Sequence, residues 1–254
     1  MTIKSGHQFI QGLELSRRFY KEAVKPILDN GFPSLNYTAA LVGHGSEVLG
    51  LDTERSMDHN WGPRLQLFLT EQDHARFHAK IKASLGQELP FYFLRYPTNF
   101  GAPDKSATRL LEVLERRPVA HGVEVLTPGS FFRQLLGMDP RASMKPLDWL
   151  CLPQQELLCL TAGEVFHDGL GELNKLRRKL AYYPRDVWLY LLACQWTRTA
   201  QEEAFVGRCG EVGDELGSRL VTASAPRAAL APTSRRDRAP AGTTPPRSSG
   251  DRPR

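Results

Sequence analysis

The chain has 254 residues, 41% of them hydrophobic, and can therefore bury a substantial core in one or two domains. Its formal net charge is +5, but residues 222–254 alone carry seven arginines and two aspartates, so residues 1–221 are neutral overall. A neutral body argues against a basic face that binds long nucleic acids.

Other features lead us to expect neither a membrane-spanning nor a secreted protein. No run of about 18 apolar residues is present, and no apolar segment follows the first residues as in a signal peptide. The four cysteines show no C-x-x-C spacing and lie mostly in apolar surroundings, where a free cysteine acts as a small hydrophobe. We therefore expect a cytoplasmic protein.

The first predicted element is an amphipathic helix over residues 7–30, where apolar side chains recur at helical spacing. Pro26 predicts a kink or a restart within it. The sequence Asn30-Gly31 is typical of a helix end.

Residues 41–69 are the most informative stretch of the chain. An apolar strand over residues 39–42 stops at the turn Gly43-His44-Gly45-Ser46, which opens a short helical piece over residues 46–50. A polar loop then leads to Asp58-His59-Asn60-Trp61, and alternation over residues 65–69 predicts a second strand.

This arrangement suits phosphates and a metal ion. Gly45 lets the backbone approach a phosphate, the N–H groups of a helix start point toward it, and the Ser46 hydroxyl caps the helix or donates to the phosphate. Asp58, at the mouth of the second strand, is a candidate Mg²⁺ ligand. Two alternatives stay open: His44 touches a phosphate or fills the turn, and Arg64 reaches a triphosphate or forms an ion pair.

The segment Gly45-Ser46, eleven residues, then Asp58-His59-Asn60 resembles the nucleotidyltransferase signature, a Gly-[Gly/Ser] pair followed by Asp-x-[Asp/Glu]. A more specific resemblance is carried by four segments, GLELSRRFY, GSEVLG, DHNWGPR and SFFRQLLG. Through them the chain resembles a bacterial family known only as a domain of unknown function, DUF4037, over residues 7–221. The second acid of the signature falls on Asn60.

The resemblance implies an α/β (α+β) fold: a mixed sheet flanked by helices, followed by a helical C-terminal region. It implies Mg²⁺-dependent transfer of a nucleoside monophosphate from ATP, or another nucleoside triphosphate, to a hydroxyl of a small molecule or protein. Gly45 and Ser46 would hold the phosphates, and Asp58 and Asn60 the metal. The strand over residues 122–126 would supply Glu124 as base or third ligand; the alternative is a solvent-facing acid.

Asn60 weakens the enzymatic interpretation. Hard Mg²⁺ prefers anionic oxygen, and an amide removes one unit of charge from the site. Asp52 and Glu54 lie nearby without favourable spacing, and His59 is expected to pack on the opposite face. The second hypothesis is therefore a catalytically degenerate module that binds nucleotide or a partner protein.

The rest of the chain predicts a domain over residues 1–146, a mainly helical and incomplete one over 147–221, and a disordered Ala/Pro/Arg-rich tail over 222–254. The composition changes abruptly at Thr222, which suggests an out-of-frame tail in place of final helices. His74 and His78, at i and i+4, form half a zinc site or a solvated helix face. Further helices are predicted at residues 70–85, 131–136, 147–162, 173–180 and 186–206. Further strands are predicted at residues 90–96 and 164–168.

Overall fold

A computed structural model gives the structure of residues 9–230, with side chains described through residue 224. The helices are α1 (Gly12–Phe19), α2 (Lys25–Gly31), α3 (Glu71–Glu88), α4 (Pro128–Leu136), α5 (Pro146–Cys151), α6 (Gln154–Thr161), α7 (Leu173–Leu180), α8 (Arg185–Glu211) and α9 (Glu215–Leu230). The strands are β1 (Thr38–Leu41), β2 (Arg64–Phe68), β3 (Tyr92–Phe93), β4 (Tyr96–Pro97), β5 (Asn99–Phe100), β6 (Leu111–Glu112), β7 (Gly122–Leu126) and β8 (Glu164–Asp168). None of the described helices is both long and apolar enough to cross a bilayer.

The main sheet has the strand order β7-β2-β1-β8. Strand β7 runs parallel to β2, while β1 is antiparallel to both of its neighbours. This confirms the predicted mixed sheet flanked by helices and followed by a helical C-terminal region.

Alternation along β2 explains how the sheet is covered. Leu65 and Leu67 point into a core that includes Leu15, Ile81 and Val123, so α1 and α3 lie over one face of the sheet. On the other face, Phe68 packs edge-on against Phe131 of α4, with ring centroids 5.2 Å apart.

The first helix is interrupted where the sequence predicted it. A π-helical turn, Tyr20–Val24, separates α1 from α2, and Pro26 occupies the first turn of α2. The wider turn accommodates a residue that has no N–H group to donate to the preceding turn. Thr70 caps α3 as predicted, since its side chain accepts a hydrogen bond from Asp73 N.

Several predicted elements differ from the structure. Residues 46–50 form successive turns instead of a helix, and residues 90–96 form the two-residue strands β3 and β4 with Leu94 and Arg95 at positive φ between them. The helix predicted over residues 147–162 is broken into α5 and α6 at Leu152-Pro153, because proline disfavours a helical residue before it.

The chain divides into compact units between Ala181 and Tyr182, whereas the sequence suggested a boundary after residue 146. The reason is β8: it completes the main sheet beside β1, so the segment that carries it belongs to the first unit. The sequence predicted that helical structure would end at Thr222, where the composition changes. In the structure, helix α9 continues to Leu230. Residues 231–254 lie outside the described part of the chain.

Candidate functional site

The turn at residues 43–46 is held by a largely buried ion pair. Arg64, the first residue of β2, donates from Nε to Glu47 Oε1 at 2.7 Å and from Nη2 to the His44 carbonyl at 2.8 Å. The side chains of Arg64 and Glu47 are only 18% and 4% exposed. Of the two roles open for Arg64, the structure shows the ion pair.

Gly45 is required by this ion pair. Its φ is +147°, and a Cβ placed on it would lie 2.5 Å from Arg64 Nη2 and 2.7 Å from Glu47 Oε2. Both contacts are shorter than real Cβ contacts allow, so any side chain here would push the pair apart. Packing against the ion pair thus already explains why residue 45, which the sequence assigned to phosphate approach, is a glycine.

No helix begins at Ser46. Leu51 N donates to Ser46 O at 2.9 Å and Gly50 N to Glu47 O at 3.2 Å, which closes a set of turns. The expectation that helical N–H groups at this point would face a phosphate is therefore wrong, because there is no helix axis along which they could align.

Asp58 does not lie at the mouth of a strand. It ends the 3₁₀ helix Glu54–Asp58, and β2 begins six residues later. Its side chain is 63% exposed, and Oδ1 lies 2.8 Å from His59 Nδ1. This hydrogen bond lowers the pKa of Asp58 and raises the pKa of His59. His59 is exposed as well, and does not pack on an opposite face.

Asn60 serves as a clamp for a neighbouring loop. At a φ of +48°, its N–H donates to Arg109 O at 3.1 Å and its Oδ1 accepts from Arg109 N at 2.8 Å. Asparagine tolerates this left-handed backbone better than most residues. The Asn60 amide oxygen, which was predicted to be a metal ligand, thus already accepts a hydrogen bond from a backbone N–H.

Glu124 is exposed on β7, in register with Gln66 of the parallel strand β2. This is the adjacent-strand position predicted for the third acid. It lines an open cleft of about 660 Å³, together with four other predicted residues: His44, Gly45, Asn60 and Arg64. Asp58 lines a separate hollow of about 260 Å³, and His59 borders both. Ser46 is not among the described residues that line either one.

Four basic or imidazole side chains of the cleft were not assigned to this site from the sequence. His78 and Lys82 come from α3, Arg109 from the loop before β6, and His121 from the residue before β7. The pair His78 and Lys82 at i and i+4 was a usable signal, because residues at that spacing share one face of a helix. Arg109 and His121 carried no local signal.

Two of the histidines that line the cleft, His78 and His121, favour the neutral form. Burial lowers the pKa of His78, helped by the nearby His74 and Lys82. Burial also lowers the pKa of His121, whose Nδ1 accepts from Val123 N and whose Nε2 lies 3.2 Å from the Lys82 carbonyl. Near pH 7 these two histidines therefore add little to the positive charge of Lys82 and Arg109.

The residues present do not fit a preformed Mg²⁺ site. Nowhere in the described part of the chain do three His, Cys, Asp or Glu side chains converge as metal ligands. Asp58 is bound to His59 and lies in a different hollow from Glu124, and Asn60 Oδ1 is engaged by Arg109. Asp52 is no substitute, because it is buried and accepts from Gly12 N and Trp61 Nε1.

Comparison with known proteins bears on the other end of the chain. No curated protein and no solved structure matches the sequence significantly. The segment with Gly45, Asp58 and Asn60 lies outside any match, so the nucleotidyltransferase resemblance stays a prediction. Residues 149–232, from α5 to just beyond α9, match the family model of a domain of unknown function, DUF4037.

Proposed function

We propose that the 660 Å³ cleft binds the phosphate end of a nucleotide, and that this chain is a catalytically degenerate member of a nucleotidyltransferase-like fold. The observation that carries the proposal is an excess of positive charge in the cleft without converging carboxylates. A ligand with its own negative charge is attracted by such a site, whereas a bare cation is not.

The charge excess follows from the partners of each side chain. Arg64 is neutralised by Glu47, and Glu124 is the single acid among the described lining residues. Lys82 and Arg109 have no carboxylate within ion-pair distance among the described residues. Arg109 instead donates to the carbonyls of Phe100, Gly101 and Ala120, which fixes its position but leaves its charge.

The volume also suits a small ligand. Sites for cofactors and metabolites commonly enclose roughly 300–1,000 Å³. Walls from β7, α3 and the turn at residues 43–46 bring backbone, cationic and imidazole groups to one opening. Lys82 is exposed near the imidazoles of His78 and His121, a suitable place for phosphate oxygens.

Replacing Lys82 by alanine is expected to weaken ATP binding about tenfold, as for a lost charge contact worth roughly 1.4 kcal/mol. Calorimetric titration of the full chain with ATP, in the absence of Mg²⁺, measures this. Lys80→Ala is the matched control, because Lys80 is exposed on the same helix but does not line the cleft. Equal losses in both variants, or no ATP binding by the natural chain, would contradict the proposal.

Nucleotidyl transfer is the second candidate, with ATP or another nucleoside triphosphate as donor and a small molecule or protein as acceptor. The observation in its favour is that Glu124, Asn60 and Gly45 line one cleft. Asp58 is open to solvent, only two residues from Asn60. On this hypothesis, the natural chain lacks one of the two acids of the metal-binding signature, and Asp58 would have to leave His59 to take part.

Asn60→Asp tests this second candidate. Aspartate tolerates the same backbone and can still accept from Arg109 N, so the fold should be retained. If the chain is one acid short of activity, Mg²⁺ should tighten ATP binding by this variant about tenfold or more, and pyrophosphate release should appear. Thermal shifts with ATP, with and without Mg²⁺, give the first reading.

The double variant Asn60→Asp with Asp58→Asn is the control for that gain. It restores one acid while removing the other, so the Mg²⁺ dependence should disappear. An Asn60→Asp chain that responds to ATP equally with and without Mg²⁺ would eliminate the enzymatic candidate and leave nucleotide binding alone.

A further inference from the structure

One side of helix α8 is covered by α9 and carries both apolar and polar residues. Along the covered side, residues 191, 195, 199, 202, 206 and 209 are half-buried, and Ser218 Oγ of α9 donates to the Val206 carbonyl at 2.9 Å. Val187 is the one described residue of α8 that is fully buried. The hairpin of α8 and α9 therefore encloses little core of its own.

A stripe of apolar and small residues lies on the opposite side of α8. Its members follow one another at intervals of three or four residues, and each is exposed. Since a helix turns about 100° per residue, a residue two positions before a half-buried one lies about 200° away from it. Five members of the stripe hold such positions, and Trp196 joins them because it follows Leu189 by seven residues, which places it about 20° from Leu189 around the helix. We call this set the outer stripe of α8: Leu189, Ala193, Trp196, Ala200, Ala204 and Gly207.

The outer stripe is unusually exposed for its composition. Trp196 is 59% and Leu189 is 41% exposed, and a Cβ on Gly207 would meet no atom within 4 Å. A tryptophan left this open in a stripe composed mostly of small residues is typical of an interface.

The order of large and small residues makes the outer stripe complementary to itself. When two copies of α8 pair antiparallel about the level of residue 198, Trp196 of each copy faces Ala200 of the other. Leu189 likewise faces Gly207, and Ala193 lies beside Ala204. Every large side chain thus meets a small one, as close packing of two helices requires.

Charge at the helix ends points to the same pairing. Arg185 begins α8 and Glu211 ends it, so each has the unfavourable sign for the dipole of its own helix, whereas Asp186 and Arg208 in the same turns have the favourable sign. In the same antiparallel register, Arg185 of one copy faces Glu211 of the other. Each charge then lies beside both an opposite charge and the end of the neighbouring helix that attracts it.

We propose that the outer stripe is the interface of a symmetric homodimer in which the α8 helices of two copies pair antiparallel. A two-fold axis makes the surface isologous, so one self-complementary stripe suffices for both partners. In such a dimer, α8 of each copy packs between its own α9 and the α8 of its partner, which buries the apolar side chains that one hairpin leaves in water.

Sedimentation of the full chain over a concentration series tests the proposal. We expect a monomer–dimer equilibrium, and Trp196→Glu should raise the dissociation constant about tenfold or more, as loss of a central tryptophan usually does. Phe205→Glu is the matched control, because Phe205 is 47% exposed and lies nine residues away, half a revolution around the helix. A natural chain that stays monomeric, or equal effects of both variants, would overturn the proposal.

A charge exchange tests the register. Arg185→Glu and Glu211→Arg should each weaken the dimer by about threefold, and the double variant should recover most of the loss. Failure of the double variant to recover would overturn the antiparallel arrangement. Far-ultraviolet circular dichroism shows whether each variant is folded. If Trp196→Glu does not fold, Ala200→Arg provides a second way to disrupt the outer stripe.

Discussion

Replacing Glu47 by alanine is expected to lower the free energy of unfolding by about 3 kcal/mol, because it leaves the guanidinium of Arg64 largely buried without its partner. The turn at residues 43–46 should loosen as well, since Arg64 also binds the His44 carbonyl. Urea denaturation followed by fluorescence gives the stability change, and ATP titration shows whether the cleft wall is lost with it.

The double variant Glu47→Met with Arg64→Met separates an unpaired charge from lost packing. It removes both charges and fills similar volume, so it should be clearly more stable than Glu47→Ala. Glu22→Ala, which breaks the exposed pair with Arg18 on α1, should change stability very little. If Glu47→Ala has as small an effect, the pair behaves like a surface ion pair and our account of the turn is wrong.

Replacing Arg177 by methionine is expected to cost about 2–3 kcal/mol of unfolding free energy. Arg177, on α7, donates to the carbonyls of Leu160, Thr161, Ala162 and Gly163 at 2.9–3.2 Å. These carbonyls end α6 and lead into β8, and charged donors at a helix C-terminus satisfy groups that lack helical partners. The burial that makes these bonds effective also lowers the pKa of Arg177.

Two variants of α7 control this prediction. Arg178→Met removes the adjacent arginine, which is exposed, and should leave stability nearly unchanged. Arg177→Lys keeps the charge but offers a single donor group, so it should recover only part of the loss. Equal denaturation midpoints for Arg177→Met and the natural chain would show that water replaces the guanidinium without cost.

The elements that the sequence predicted well are those with a local cause. Alternating apolar residues produced β2 and β7, the hydroxyl of Thr70 capped α3, and Pro26 marked an interruption. Each depends on residues within one or two turns, so the pattern contains the information. The edge strand β8 and helix α7 were found in the same way.

The candidate site was harder to predict because its residues interact over long sequence distances. Spacing placed Asp58 near β2 but could not show that Asp58 ends a 3₁₀ helix and that five residues separate it from the strand. Glu47 and Arg64 are 17 positions apart, and no helix or strand periodicity predicts that they form an ion pair. Lys82 and Arg109 reach the cleft from a helix and a loop, so only the folded chain reveals their shared charge.

The insertion of β8 beside β1 has a consequence for how the protein is made. The Thr38 hydroxyl donates to Asp168, 130 positions later in the chain, so the sheet stays incomplete until the ribosome has released that distant strand. Until then, the open side of β1, with the apolar residues Ala39, Ala40 and Leu41, is available to other nascent chains. Closing so long a loop also slows folding, so we expect β1 to need protection by chaperones during synthesis.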